Sequence, residues 1–447
     1  MNPSHLEELA SPESEQLQRV KAVRAAMPEG GMFRDKDWQV SPSALPLPAD
    51  VVKRIHALGP ATAAFQAACN RLYQDAVDDP SLHWVARVLD QGKPERMVAL
   101  GRNARWKDAL PRVIRPDLVW TETGLSITEL DNLPGGIGLT GWMGQTYAAL
   151  GEDVLGGAAG MLDGFDRVFP NHDILVSREA ADYEPEMAWL TGQLNARDGG
   201  GRRVLNPWSI QPQDLQGKDV YRFFELWDTD NVEHAEALLS MAEAGELRFT
   251  PPMKPYLEEK LWLALFWSPA LRRWWEAALR ADHLQLLKES IPYGWTLDPT
   301  ALPLHAEWPR LGIHDWQEMK RFGSRERELV VKISGWSEKS WGSRGVKIGH
   351  DLPQDEWAEA IDEALQSYPG NPYLLQRFHR ARVLTQPRHD QASGRIVPMQ
   401  CRARLCPYYF VHEGEVTLGG VLATIVPADK KLLHGMRDGV MIPCKAK

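Results

Sequence analysis

The sequence predicts a mixed α/β protein (α/β, α+β) built from more than one sheet, and three stretches carry that prediction. Arg115 to Gly138 (RPDLVWTETGLSITELDNLPGGIG) reads as an acidic strand pair ending in a Pro-Gly-Gly break. Residues 170 to 230 alternate strand and helix, the pattern of a small parallel unit. Glu328 to Phe378 runs strand, Gly- and Ser-containing loop, strand, amphipathic helix and strand. At 447 residues the chain is long enough for two or three such substructures.

The composition, 43% hydrophobic and 25% charged, is that of a soluble globular protein. A net charge of −9 and a pI near 5.9 argue against nucleic acid or an anionic membrane as a main partner. Cys69, Cys401, Cys406 and Cys444 are too scattered for a disulfide framework, and Cys401 and Cys406 lack the second ligand pair of a zinc site. No apolar run approaches the ~18 residues of a membrane span, and the start MNPSHLEELASPESE does not read as a signal peptide. A cytoplasmic enzyme is the expected class.

Taken in order, residues 1 to about 48 are polar and broken by Pro and Gly, so an extended arm with a short helix at most is expected. Helical periodicity begins at Ala49, is interrupted at Gly59-Pro60, and returns in SLHWVARVLDQ. In the acidic hairpin, a three-residue loop Glu122-Thr123-Gly124 pairs Thr121 with Leu125, Val119 with Ile127 and Asp117 with Glu129, with Asp131 on the same face. Opposed carboxylates roughly 4.5–5.5 Å apart at Cβ repel each other, so something positive belongs between them. Mg²⁺, held by carboxylates and by the phosphate oxygens of a nucleotide, fits that requirement. Arg115 is in phase with Asp117 and can add a fixed cation. The Pro134-Gly135-Gly136 step allows close approach of backbone to a ligand.

A Gly-rich helical stretch follows, then the strand Asp173–Ser177, a helix capped by Ser177, and strands in RRVLNPW and DVYRFFELW. RDGGGRR reads as a mobile loop. Residues 232–246 form a helix, and 251–279 read as one long aromatic helical segment carrying Lys254, Leu257 and Lys260. In ELVVKISGWSEKSWGSRGVKIGH, Lys332 projects beneath a loop whose N–H and hydroxyl groups can close over phosphates, with Ser340, Gly342, Ser343 and Gly345 as its candidate contacts. Farther on, Arg402 and Arg404 are in phase on a strand, where they can stabilise charge developing on a transferred group or pair with acids.

The succession R-x-D, E-x-D, P-G-G (Arg115, Asp117, Glu129, Asp131, Pro134–Gly136) resembles the metal-binding end of ATP-grasp ligases. Carboxylates that precede the lysine strand resemble the circularly permuted branch of that family, which includes glutathionylspermidine synthase. The resemblance implies Asp117, Glu129 and Asp131 as Mg²⁺ ligands, with Asn132 as the alternative to Asp131. It implies Arg115 as a phosphate contact, acting with Arg402 and Arg404 in catalysis, and Lys260 and Lys332 as nucleotide contacts. It further implies an adenine slot lined by Gln376, Arg377 and Phe378, whose hinge backbone bonds the base.

The expected organisation is then a circularly permuted ATP-grasp fold. Residues 1–111 form an arm and helices, 112–150 the carboxylate hairpin, 151–250 an inserted α/β substrate unit, and 251–447 the nucleotide-binding region. The expected activity uses ATP and Mg²⁺ to join a small-molecule carboxylate to an amine through an acyl phosphate. Nucleotide binding without turnover, or phosphotransfer to another acceptor, is the alternative. The substrates' identity and the oligomeric state are not legible.

Overall fold

The computed structural model describes residues 13–206, 208, 210–340, 344–430, 433 and 439–447. In chain order the strands are β1 (Leu45–Leu47), β2 (Val113–Trp120), β3 (Leu125–Asp131), β4 (Asp173–Val176), β5 (Val204–Leu205), β6 (Asp219–Phe223), β7 (Arg248–Thr250) and β8 (Gly294–Thr296). They continue as β9 (Leu329–Ile333), β10 (Val346–Ile348), β11 (Tyr373–Arg377), β12 (Leu384–Asp390), β13 (Arg395–His412), β14 (Glu415–Pro427) and β15 (Val440–Ala446). Among the described residues these form three sheets. The largest has the order β1-β15-β14-β13-β2-β3, with β12 also on β13; the second is β10-β9-β11-β8; the third is β5-β4-β6-β7. The second is antiparallel and the third parallel, as alternating strand and helix require.

Gly420 to Val426 of β14 is almost wholly apolar and buried, which marks a strand covered on both faces. Helix Ala49–Asp78 covers one face, packing Ile55, Leu58 and Phe65 into the same core as Leu118, Ile127, Leu405 and Ile425. Burying each such side chain contributes roughly 1.5–3 kcal/mol. The expected break at Gly59-Pro60 is absent, for the helix runs through Pro60. Tertiary packing outweighs the lost backbone bond here. A Cβ on Gly59 would lie 2.9 Å from the Tyr409 ring, and the Tyr409 hydroxyl donates to the Ile55 carbonyl at 2.5 Å.

From Glu13 onward the N-terminal stretch is built into the fold rather than forming an arm; the earlier part of the expected arm lies outside the described residues. Helix Glu13–Ala26 is pinned by Arg19, which donates to the carbonyls of Pro42 (2.7 Å) and Leu150 (2.8 Å) and pairs with Glu152. β1 runs parallel to β15 at the other end of the chain. Between residues 251 and 279 there is no single long helix. Pro255 and Pro269 each start a short 3₁₀ turn, with helix Trp262–Leu265 between the two and helix Arg272–Ala278 after the second, and Lys260 sits in a turn. The α-helix expected after Ser177 begins only at Glu184; the Ser177 hydroxyl accepts the Ala180 N–H at 3.3 Å, as a cap would, and donates to Asp228.

The Pro-Gly-Gly break leads into helix Ile137–Ala149, with Gly136 left-handed at φ 87°. Its glycines admit the protein's own groups. A Cβ on Gly135 would lie 2.3 Å from the Tyr183 ring, and one on Gly138 would lie 2.1 Å from the Glu186 carbonyl. The buried Glu186 carboxylate accepts the N–H groups of Gly136 (2.6 Å) and Leu139 (2.9 Å), capping that helix from its neighbour Glu184–Asp198. Burial pushes the Glu186 carboxyl up to about 7, against the pull of those two N–H groups. Among the described residues no helix is long and apolar enough to cross a membrane. All four cysteines are buried and free.

Candidate functional site

Asp117 does pair with Glu129, and Arg115 pairs with Asp131, but by a different route from the simple hairpin. The loop is four residues, Thr121–Gly124, closed by the Thr121 N–H and hydroxyl on the Gly124 carbonyl (2.8 and 3.0 Å). This places Val119 opposite Ser126 rather than Ile127. A bulge at Thr128 then restores the phase at Asp117. The Thr128 carbonyl, at the bulge, accepts Lys332 Nζ at 2.9 Å. One irregularity in β3 thus ties the carboxylate hairpin to the lysine strand β9, 204 residues later.

The like charges on this face are balanced by side-chain cations. Arg115 donates through Nε to Asp117 (3.0 Å), through Nη2 to Asp131 (2.9 Å) and through Nη1 to the Gly135 carbonyl (3.0 Å). Arg404 Nη1 lies 2.8 Å from the other Asp117 oxygen. Lys260 Nζ lies 2.9 Å from Glu129 and 3.1 Å from the Ser340 carbonyl. Asp117 is buried, whereas the Asp131 and Glu129 side chains keep 22% and 36% of their exposure, so those two present oxygen to the cavity. Burial raises the Asp131 carboxyl, only partly offset by Arg115. For Arg404 and Lys260 burial is the largest influence and opposes the charge, but the surrounding acids together, Asp117 foremost for Arg404 and Glu129 foremost for Lys260, raise both groups. Asn132 turns away and donates to the Leu257 carbonyl at 2.8 Å.

Two cavities meet at this cluster, sharing Asp117, Glu129 and Arg404 in their walls. The larger, about 520 Å³, is bounded by Arg115, Asp131, Tyr408 and Ser340, and by Glu179, Asp182 and Tyr183 from the unit that carries the parallel sheet. Arg344, from the loop after β9, reaches Glu179 at 3.2 Å across its mouth. The smaller, about 130 Å³, lies between the sheets, walled by Val330, Ile348 and Phe378 and reached by Lys332, Gln376, Arg377 and Arg402.

Lys332, Gln376, Arg377, Phe378, Arg402 and Arg404 are therefore brought together, as are Arg115, Asp117, Glu129, Asp131, Lys260 and Ser340. Gly345 packs under the loop, where a Cβ would lie 2.7 Å from Ile333. Gly342 and Ser343 lie outside the described residues. Arg402 reaches the Lys430 carbonyl at 3.5 Å. The Arg377 and Phe378 N–H groups, expected to meet a base, donate instead to the Tyr293 (2.8 Å) and Glu328 (3.0 Å) carbonyls. The sequence reading missed Tyr408, which donates to the Gly135 carbonyl at 2.6 Å, and Cys406, whose thiol lies 3.4 Å from Asp117. Both continue the in-phase series Arg402, Arg404 on β13, and that alternation was the available signal.

Lys332 is a buried cation of the cluster whose charge burial disfavours on balance. Burial lowers it to about 8, with Glu129 holding it up and Lys260 pushing it further down. A lysine with a lowered value loses its charge earlier as pH rises, so an anion bound beside it should be released earlier too. Affinity for a non-hydrolysable ATP analogue is expected to fall as pH rises through about 8. Lys332→Met should flatten that dependence, and titration calorimetry across the range checks both outcomes.

No protein-family model matches the sequence, and no curated protein does. Among solved structures the fold is similar to that of a glutathione synthetase-like effector from Globodera pallida in its apo form. The TM-score is 0.56 over 98% of this chain and 99% of that chain, at 11% identity. A candidate gamma-glutamylcysteine synthetase from Methylobacillus flagellatus aligns over 78% of this chain and 82% of its own, at 13% identity and a TM-score of 0.40, too distant to bear on the fold. The chain shares with that effector its mixed α/β architecture of several sheets.

Proposed function

We propose that this chain is an ATP-dependent carboxylate–amine ligase of the ATP-grasp type, in the circularly permuted order, with the hairpin of residues 112–150 preceding the nucleotide-binding region 251–447. The observation that carries the reading is the Lys332–Thr128 contact, because it makes one site from two stretches that are each incomplete. The base occupies the slot beside Gln376, Arg377 and Phe378, and the phosphates lie toward Lys332, Arg402, Arg404 and Arg115. These cations position the phosphates and offset their charge, which is most of what a protein contributes to phosphoryl transfer.

The donor set fits Mg²⁺, which takes one or two carboxylates together with phosphate oxygens and water. Glu129 and Asp131 would hold it, and Asp117 would add an oxygen once an arginine turns from it to a phosphate. Bound there, the ion would neutralise charge on the phosphates. A substrate carboxylate oxygen attacks the γ-phosphorus, the bond to the bridging oxygen breaks, and ADP leaves. An amine nitrogen then attacks the acyl carbon, phosphate departs, and the amine's proton goes to solvent.

The larger cavity takes both substrates, with residues 151–250 as the substrate unit. Its lining carries Asp35 and Glu225 beside the ion pairs Lys36–Asp182 and Arg344–Glu179, and these acids suit the amine while it still carries its proton. A screen of amino acids and polyamines for ADP release tests the reading. Release that requires a carboxylate and an amine together supports ligation, and release indifferent to both would overturn it.

A further inference from the structure

A single peptide unit, Gly135–Gly136, joins a buried acid to an arginine of the larger cavity. We infer that Glu186 is a positioning residue for the proposed reaction, acting through this peptide to fix Arg115. The inference rests on the ligase reading of that cavity.

The Gly135 carbonyl and the Gly136 N–H belong to the same planar unit and point in opposite directions. On one side the carbonyl accepts Arg115 Nη1 at 3.0 Å and the Tyr408 hydroxyl at 2.6 Å. On the other the N–H donates to Glu186 Oε1 at 2.6 Å, while Oε2 accepts the Leu139 N–H at 2.9 Å. The plane is thus held at both ends, and the Glu186 end is wholly buried. Arg115 uses its other nitrogens on Asp117 and Asp131, so the Gly135 carbonyl is the third anchor that sets its guanidinium. A carboxylate on the N–H polarises the peptide and makes its carbonyl a stronger acceptor.

Helix capping alone does not call for this arrangement. Ser, Asp or Asn at the N-cap position would serve helix Ile137–Ala149 locally. Gly136 stands there instead, and a Cβ on it would lie 2.5 Å from the Tyr408 hydroxyl. The glycine lets Tyr408 reach the carbonyl and leaves the cap to another helix. Burying a carboxylate for that purpose costs free energy that a local neutral cap would not. The helix that bears Glu186 lies in the proposed substrate unit, and Tyr183, its N-cap residue, lines the same cavity as Arg115 and Gly135.

A double-mutant cycle with Arg115 is the test, run on ADP release with the substrate pair that the screen selects. Glu186→Gln has one acceptor oxygen for two N–H groups and should lower kcat about tenfold, the order of one hydrogen bond felt in the transition state. Arg115→Met should retain about a hundredth of the activity. In that background Glu186→Gln should lower kcat by no more than about twofold, the usual error of additivity, while still lowering the thermal midpoint. Glu186→Asp, which keeps the charge on a side chain one methylene shorter, repeats the cycle if the Gln variant folds poorly. An unchanged kcat in Glu186→Gln, or equal losses in both backgrounds, would overturn the inference and leave Glu186 as a helix cap. Absence of ADP release from the wild type with every pair would instead overturn the ligase reading, and the inference with it.

Discussion

Asp117→Ala should lower the unfolding free energy by about 3–5 kcal/mol, the range for removing one partner of a buried ion pair. The Asp117 side chain is 5% exposed and lies between two guanidinium groups, Arg115 at 3.0 Å and Arg404 at 2.8 Å. Arg115 retains Asp131 and the Gly135 carbonyl after the change, but Arg404 loses the carboxylate that holds its charge against burial. Urea unfolding measures the loss. Asp117→Asn should cost less, because its amide oxygen still accepts one arginine. A variant as stable as the wild type would mean that the arginines do not depend on Asp117.

Glu129→Gln should separate function from stability. Its side chain is 36% exposed, and Gln keeps an oxygen for Lys260, so the thermal midpoint should move little. Turnover should fall by roughly 10²–10³-fold, the scale for losing one preorganised electrostatic group. Mg²⁺-dependent ADP release, followed beside the thermal midpoint, reads both quantities. Retained wild-type turnover would exclude Glu129 from the reacting centre.

The hairpin was legible because its determinants are local. Even so, the pairing of Asp117 with Glu129 was reached through two offsetting departures, a loop one residue longer and a bulge at Thr128. The bulge has no sequence signature of its own, yet the carbonyl that Lys332 uses sits at it. The need for positive charge on this face was also legible. Which side chains supply it was not, since Arg404 and Asp117 are 287 residues apart and only the folded sheet brings β13 beside β2.

Helix Glu13–Ala26 and β1 were hidden for the same reason. They are held by Leu150, Glu152 and β15, partners that local composition does not reveal. The stretch 251–279 failed differently, because its apolar spacing is helical while Pro255 and Pro269 divide it into short turns. The parallel unit was read correctly through β4, β5 and β6. Its edge strand β7 is only three residues, too short for an alternation pattern to show.

An isotope experiment tests most directly whether this site performs ligation. The acyl-phosphate route requires one oxygen of the substrate carboxylate to leave with phosphate, whereas ATP hydrolysis and phosphotransfer to a hydroxyl do not. With the substrate pair that the ADP-release screen selects, and the carboxylate labelled in both oxygens with ¹⁸O, mass spectrometry of the released phosphate should find one label per turnover. Unlabelled phosphate formed alongside amide product would contradict the mechanism, even if Lys332, Glu129 and Gln376 all proved to contact the nucleotide.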